Sequence, residues 1–488
     1  MKSLRPARIT CILVTFCFAT AIAGLGQTFT YGQFHGVDGG NPTTAPVQGL
    51  NGNLYGTTGS GGTNGWGTIY ELTPDGKYSK IYNFCSQAHC TDGQSPQGLI
   101  VAANGNFYGL TAGGGANNCS CGTFFELTPA GRLITLYSFC SLTNCADGSV
   151  PLGSLVQGIN GNFYGTTITG GVHCSTCGTV FEITPAGRLT TLHSFCNPQV
   201  CKDGFQPQAG LILANDGNFY GTTSEGGANG NGTVFKMSPS GVGSILHSFC
   251  SEPNCADGWS PEAALIQGTN GNLYGTASGG GAYDEGVAFQ LTLGGVFTTL
   301  HAFCPNTCAD GQTPTSPLIQ ANDGNFYSTT YAGGLNGNIF EMTSDGIVTT
   351  LYDFCVAGPP CIDGYSPYSG LTQHTNGTFY GSADYGAYTD RRLCHGPGCG
   401  TLFSLSTGLG PLVIANPGFA KIGQRINVLG NNLTGATIVT FNGTPATEFT
   451  VTDTYIKATV PSGATTGLVQ ITTPGGTLTT DVAFQVLP

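Results

Sequence analysis

Charge is scarce in this sequence. Asp, Glu, Lys and Arg make up 8 % of 488 residues, against about 25 % in an ordinary soluble protein. Only 14 residues are Lys or Arg, none in a basic run, and the formal net charge is −12. Nucleic-acid binding relies on clustered cations to neutralise phosphates, so that class is excluded. Helical periodicity is missing, and the 79 Gly are roughly twice the usual ~7 % share. A Gly inside a helix costs about 1 kcal/mol against Ala, which excludes a helical bundle. Enzyme signatures are missing too: there is no Gly-x-Ser-x-Gly, no His-Glu-x-x-His and no phosphate-cradling Gly loop with Lys. Disorder is excluded in turn, because 40 % hydrophobic and 10 % aromatic residues supply ample apolar surface to bury.

The first segment reads as an export signal. Lys2, Arg5 and Arg8 precede an apolar stretch that ends in Ala21-Ile22-Ala23, with cleavage expected after Ala23. That stretch, 9–23, falls short of the ~20 residues a membrane span needs, and no later segment is apolar enough. Neither Cys11 nor Cys17 has a lipidation context. Cleavage removes three basic residues and leaves a mature charge of −15.

What is abundant is repetition. Asn-Gly-Asn-Phe-Tyr-Gly-Thr recurs with its Tyr at Tyr55, Tyr108, Tyr164, Tyr220, Tyr274, Tyr327 and Tyr380, spaced 53–56 residues apart. Gly-Thr-Val-Phe-Glu-Leu-Thr-Pro follows each time, then Leu-Thr-Thr-Leu-His-Ser-Phe-Cys, then Asp-Gly-x-x-Pro beginning at Asp38, Asp92, Asp147, Asp203, Asp257, Asp310 and Asp363. Each unit predicts four strands, in the third copy 153–157, 163–167, 179–184 and 189–195. An Asn-Gly hairpin turn and a Pro-Ala-Gly turn join two of the pairs. Four strands per ~54 residues describe a β-propeller blade.

The chain ends suggest closure. The seventh copy has a third strand at 401–405 but meets Pro411 before a fourth. Residues 28–34 occupy a fourth-strand place with no blade of their own. The expectation is an all-β, seven-bladed β-propeller over 24–406 whose N-terminal strand completes the last blade and removes the exposed edges. The repeat unit resembles the GloVer tandem repeat of secreted bacterial proteins, over about 28–407. That resemblance implies an exported repeat protein and little chemistry.

Residues 407–410 read as a linker, and Cys disappears beyond it. Short strands at 425–429, 438–441, 447–451, 455–460, 468–473 and 481–487 predict an immunoglobulin-like β-sandwich over 411–488. The stretches 439–446, 456–461 and 466–476 resemble an IPT/TIG domain. Such domains can contact DNA, but Lys421, Arg425 and Lys457 are its only cations, so a spacer or adhesive role is expected.

Two of the 20 Cys lie in the leader. The other 18 fall into close pairs. Six follow fourth strands: Cys85 with Cys90, Cys140 with Cys145, Cys196 with Cys201, Cys250 with Cys255, Cys304 with Cys308 and Cys355 with Cys361. Three lie between second and third strands: Cys119 with Cys121, Cys174 with Cys177 and Cys394 with Cys399. An even count in an exported chain predicts disulfides. Zinc is the rival at Cys174-x-x-Cys177, with His173 beside it, but a zinc site takes four ligands in one place, and the pairs are assigned to different blades. No metal is expected.

In a four-stranded blade the long Cys-bearing loops share one face, opposite the tight turns. Loops on a rigid scaffold commonly carry binding residues, so Trp66, Phe205, Trp259, Tyr283, Tyr331 and Tyr365, with Tyr385 and Tyr388 nearby, are the candidate ligand contacts. Packing over their own loops is the structural alternative. The seven repeated Asp read as turn-formers, with calcium as the alternative and no other cofactor expected. Glu71, Glu126, Glu182 and Glu341 give way to Lys236, Gln290 and Ser404, as at an outward strand position. His193, His247 and His301 share a slot with Tyr82, Tyr137 and Tyr352, which argues for strand packing over metal ligation. The expected function is an extracellular or cell-surface binding scaffold for carbohydrate or a surface protein. The alternative is a polysaccharide-degrading propeller enzyme that recruits non-repeat acids from Glu225, Asp284, Glu285, Asp384 and Asp390, the last beside Arg391 and Arg392.

Overall fold

The computed structural model describes residues 18–24, 27–117, 119–196, 200–356, 358–386, 394 and 398–487. It is all-β apart from three single-turn 3-10 helices. No described helix is long and apolar enough to cross a membrane. The repeats fold into consecutive antiparallel sheets, numbered one to seven here, over 47–83, 94–138, 156–194, 212–248, 266–302, 319–353 and 371–406.

Sheet three shows the pattern. Its strands are Val156–Gln157, Phe163–Thr167, Thr179–Ile183 and Leu189–Ser194, hydrogen-bonded in chain order. The first strand is shorter than predicted, because the chain before it belongs to a loop that meets the neighbouring sheet. Phe163–Thr167 is buried throughout, as a strand covered on both sides must be. A bulge between Val180 and Phe181 shifts the register of the outer strand, and the same bulge recurs in the other sheets where a third strand meets a following outer one. Bulges add local twist.

Sheet seven draws its fourth strand from the other end of the chain. Gln27–Gln33 pairs antiparallel with Thr401–Ser406, from Thr28 opposite Ser406 to Gln33 opposite Thr401. A further strand, Phe18–Gly24, pairs on the outside of Gln27–Gln33. Leader cleavage after Ala23 would remove all of it but Gly24. Residues 1–17 lie outside the described residues.

Apolar clusters join each sheet to the next. Tyr55, Ile69 and Phe84 of sheet one meet Leu99, Phe107 and Phe125 of sheet two. Tyr327 and Phe354 of sheet six meet Phe379 and Phe403 of sheet seven, with Phe29 from the N-terminal strand. Tyr380 and Leu402 of sheet seven meet Leu54 and Tyr70 of sheet one, with Phe34. A polar joint accompanies each cluster. The residue before each repeated Pro donates its amide to a carbonyl of the preceding sheet's second-to-third-strand loop, as Gln206 N does to Cys177 O at 3.0 Å and Asn41 N to Cys399 O at 2.8 Å. The Pro ring then lies over the Gly that opens the preceding third strand. A Cβ on Gly178 would stand 2.7 Å from Pro207 Cδ, and one on Gly400 2.8 Å from Pro42 Cδ. This contact is the physical reason for two of the repeated residues.

The C-terminal module is a sandwich. One sheet holds Ile414–Asn416, Arg425–Leu429, Tyr455–Thr459 and Phe449–Val451; the other holds Thr444–Pro445, Ile438–Phe441, Val469–Thr473 and Gly476–Thr479. Its core includes Ile426, Val428, Phe441, Ile456, Ile471 and Phe484. The predicted strand at 481–487 shrinks to Gln485–Leu487, which pairs in parallel with Phe419–Lys421.

Beside the expected spacer or adhesive role, this module has a contact with the repeats that the sequence does not mark. It docks on the tight-turn side of the repeats. Asn416 Nδ2 donates to Val101 O, Asn427 Nδ2 to Ala103 O, Thr454 Oγ1 to Leu50 O and Asn431 Nδ2 to Thr375 Oγ1, over 2.7–3.2 Å. The linker is held as well: Gly410 O accepts from Asn322 Nδ2 at 3.0 Å, and Leu409 packs against the cluster between sheets six and seven.

Candidate functional site

The Cys-bearing loops are stapled. After the outer strands, Cys85 is bonded to Cys90, Cys140 to Cys145, Cys196 to Cys201, Cys250 to Cys255, Cys304 to Cys308 and Cys355 to Cys361. Between second and third strands, Cys119 is bonded to Cys121, Cys174 to Cys177 and Cys394 to Cys399. All nine predicted pairs are therefore disulfides, and no free Cys occurs among the described residues.

The sequence reading treats the second Cys of each outer-strand pair as a cross-link alone, and the structure gives it a further part. Cys90, Cys145, Cys201, Cys255, Cys308 and Cys361 all take left-handed backbone, at φ of 45–53°. Each offers its carbonyl to the amide of the Gly in the following Asp-Gly-x-x-Pro, at 2.8–3.0 Å. Left-handed backbone is uncommon outside Gly. Here it closes the turn that presents the repeated Asp, a role that Cys spacing does not reveal.

The staples are not all kept apart in different sheets. The sulfurs of Cys119, Cys121 and Cys140 lie within 4.8 Å of one another, as do those of Cys174, Cys177 and Cys196. The two loops of one sheet meet at its end, which spacing along the sequence also conceals.

The repeated Asp are the hubs of these loops. Asp147 Oδ2 accepts from Tyr137 Oη at 2.7 Å and from Ser141 N and Oγ at 2.9 Å, while Oδ1 accepts from Leu142 N at 3.0 Å. Asp92 and Asp257 repeat the arrangement, with Tyr82 and His247 in the place of Tyr137. Asp203, Asp310 and Asp363 bond His193, His301 and Tyr352, and each accepts an amide from a Cys that opens a staple. Asp38, ahead of the first sheet, accepts from His35 N. The His/Tyr slot therefore holds the Asp rather than merely packing on a strand. Burial keeps His247 below the usual imidazole range even beside Asp257.

The Glu of the third strand also has a partner. On the turn side, Tyr164 Oη donates to Glu182 Oε1 at 2.9 Å, and Asn160 and Asn162 donate to the same oxygen. It is a network position as well as an outward one.

Of the loop aromatics singled out from sequence, Tyr331 and Tyr385 line a pocket on the Cys-bearing side. Tyr331 joins Thr43, Glu262, Thr313, Thr315, Tyr368, Asp384 and Tyr385 around a cavity of about 430 Å³. Tyr365 stands behind it, 5.6 Å from Tyr385 ring to ring. A second cavity, about 280 Å³, shares Thr43, Asp384 and Tyr385 and adds Ser95 and Gln97. The other candidates do not line this pair of cavities. Trp259 lies over Gly279 and Gly280 of its own sheet's loop and donates from Nε1 to Asp284 at 3.3 Å. Phe205 packs beside Cys177 and Cys196. Trp66 and Tyr283 are exposed. Tyr388, Asp390, Arg391 and Arg392 lie outside the described residues.

Five of the seven residues that follow a repeated Pro line the cavities. Thr43, Gln97, Glu262, Thr315 and Tyr368 all occupy that place and line one cavity or the other. The residue before each Pro is held in the left-handed region, including the β-branched Val150 and Thr313 at φ of 54° and 53°, a costly conformation for such side chains. The inter-sheet joint imposes it and turns the next side chain toward the cavity. Sequence reasoning missed Glu262, Thr315 and Tyr368. The available signal was variability: the place after an invariant Pro reads Thr, Gln, Leu, Gln, Glu, Thr, Tyr across the seven copies.

The lining is polar, acidic and incompletely bonded. Thr43 Oγ1, Thr315 Oγ1 and Asp384 Oδ1 are buried without a hydrogen-bond partner, and Thr315 is only 7 % exposed. Native proteins leave few such groups. Burial pushes the Asp384 carboxyl up to about 6 and raises that of Glu262. The charge of Asp384 and burial push the Tyr385 hydroxyl up to about 12. Among the described residues no Lys or Arg lines either cavity.

These sheets and this pocket define a disulfide-rich, all-β repeat protein with propeller-like sheets and an immunoglobulin-like module. The chain belongs to the Gloeobacter/Verrucomicrobia repeat family, whose model matches residues 17–213 and 175–393, and it carries an IPT/TIG domain at 413–486. No curated protein matches it. Solved structures with similarity include a putative gluconolactonase (14 % identity, 66 % of this chain and 94 % of that one, TM-score 0.36). A luciferin-regenerating enzyme matches at 12 % identity over 77 % and 95 %, TM-score 0.38. A puromycin-hydrolyzing peptidase of Mycobacterium tuberculosis matches at 9 % over 76 % and 58 %, TM-score 0.42. At this level of likeness none of them lends its activity to this chain.

Proposed function

We propose that the seven sheets are the blades of one closed propeller, exported through a leader at 1–23, and that it is an extracellular scaffold binding carbohydrate in the cavity between Tyr331, Tyr368 and Tyr385. Closure is supported by the joint between sheets seven and one, which uses the same amide bond and Gly–Pro contact as the six others. Nine disulfides favour an oxidising compartment. The observation that carries the binding reading is the convergence of three unpartnered polar atoms, from sheets one, six and seven, on one tyrosine-walled cavity. Hydroxyl-rich ligands satisfy such atoms, and aromatic walls stack on sugar rings. Loops already stapled lose less entropy on binding.

A glycan array with the oxidised, exported protein tests this. Tyr331→Ala and Tyr368→Ala are expected to weaken binding at least about tenfold, the scale of one hot-spot residue, while Trp259→Ala and Phe205→Ala leave it intact. The opposite pattern overturns the site. Glu262 and Asp384 in one cavity favour a second reading, polysaccharide cleavage by an acid and base pair. Release of reducing ends that disappears in Asp384→Asn would establish it.

A further inference from the structure

The cavity holds two carboxyl groups and, among the described residues, no cation. The groups facing it are Glu262 from the start of sheet five, Thr313, Thr315 and Tyr331 from sheet six, Tyr368, Asp384 and Tyr385 from sheet seven and Thr43 from sheet one. Only Glu262 and Asp384 among them carry carboxyl groups. A neutral sugar would leave both half-buried carboxylates uncompensated, which surroundings of lowered dielectric penalise. A bound cation would relieve both, and Tyr walls attract cations through their ring faces. Two further observations point to a ligand that also forms neutral hydrogen bonds. Thr315, more than nine-tenths buried, brings an unpartnered hydroxyl to the cavity, and so does Thr43.

We infer that the ligand of this cavity is an amino sugar with its nitrogen unacetylated, the ammonium held by Glu262 and Asp384 and the hydroxyls by Thr43 and Thr315 among Tyr331, Tyr368 and Tyr385. The inference rests on the carbohydrate reading above and narrows it. The molecule's net charge of −12 draws cationic glycans toward it and repels acidic ones. Asp384, with its carboxyl near 6, remains mostly ionised at pH 7 and available to an ammonium. A lysine-bearing peptide offers the same charge. It lacks the dense hydroxyls that would satisfy Thr43 and Thr315, so the amino sugar is favoured.

The test uses the full oxidised protein and calorimetric titration with a β-1,4-linked glucosamine hexamer, its fully N-acetylated counterpart and a hexalysine peptide. The free-amine hexamer is expected to bind at least about tenfold more tightly than the acetylated one, the gain of one charge-assisted pair. In the Glu262→Gln/Asp384→Asn variant the ratio falls toward one. Should the double variant misfold, judged by its unfolding transition, Glu262→Gln alone is expected to shrink the ratio. Equal affinity for the two hexamers, with loss of both in Tyr331→Ala, overturns the amine and leaves the carbohydrate reading standing. Failure of every glycan to bind in a Tyr331-dependent manner removes both. Tighter binding of hexalysine than of the glucosamine hexamer overturns the amino sugar in favour of a protein ligand.

Discussion

Lys236 Nζ stands 2.8 Å from the Asp216 carboxylate in sheet four, where sheets one and three set Asn51 against Glu71 and Asn160 against Glu182. The two positions have exchanged their character together: the turn residue gained a charge and the third-strand residue reversed one. Against the burial that raises it, Lys236, Tyr220 and Asn218 hold the Asp216 carboxyl down to about 2.

A charge-swap series follows from that pair. Lys236→Glu places like charges together and is expected to lower stability by about 1 kcal/mol, the upper range for a partly exposed pair. Adding Asp216→Asn recreates the arrangement of sheet three and should restore the parent unfolding temperature, read by calorimetry. A double variant no better than the single one would show that the pair is not coupled.

The repeated Asp give a second prediction. In Asp147→Ala, Tyr137, Ser141 and Leu142 all lose an acceptor, so a loss of about 3 kcal/mol is expected. The donors to Asp147, Asp92 and Asp257 are protein groups, so EDTA should leave the unfolding temperature unchanged. A fall with EDTA that calcium reverses would revive calcium.

Asp384 sets a pH dependence. Its folded carboxyl titrates near 6, above the ~3.9 of an unfolded chain. The folded state therefore binds the extra proton between those values. The contribution is complete below about pH 4 and is lost as pH rises through about 6, at most about 3 kcal/mol for a two-unit shift. Denaturant titrations of the parent and of Asp384→Asn should differ in slope across that window and run parallel above it.

Ring closure can be tested at one side chain. Gln48 donates from Nε2 to Thr375 Oγ1 at 2.8 Å and accepts from Thr375 N at 3.0 Å, joining sheets one and seven. Gln267 makes the matching pair of bonds to Asn215 between sheets four and five. Gln48→Ala is expected to cost about 1–2 kcal/mol, no less than Gln267→Ala. A silent Gln48→Ala would mean that the ring opens there in solution.

The fold is most legible in the sequence where one repeat contains both partners of an interaction. Phe163–Thr167 and Thr179–Ile183 follow from alternation and an Asn-Gly turn, which act over a few residues. The disulfides are equally local, with partners two to six residues apart. The left-handed turn at Cys145 and its equivalents has no mark in the sequence because only the backbone reports it. The His193 slot reads as packing in the sequence because its partner, Asp203, belongs to the next motif. The cavity is legible only in part: loop position marks Tyr331, Tyr385 and Asp384, which line it, but equally marks Trp259 and Phe205, which do not, and nothing in the sequence sets Glu262 and Tyr368 apart from ordinary loop residues.

The sequence by itself determined the all-β class, the repeat, the two-module order and the stapled loops, because each depends on short-range patterning multiplied seven times. Only the tertiary structure decided which loop residues face one another, because Thr43 and Asp384 are separated by most of the chain and meet where sheet seven lies beside sheet one. It also decided that the C-terminal module docks. The Asn side chains that hold it, Asn416, Asn427 and Asn431, bond mainly to backbone carbonyls of another module, and a carbonyl carries no mark in the sequence of what will reach it.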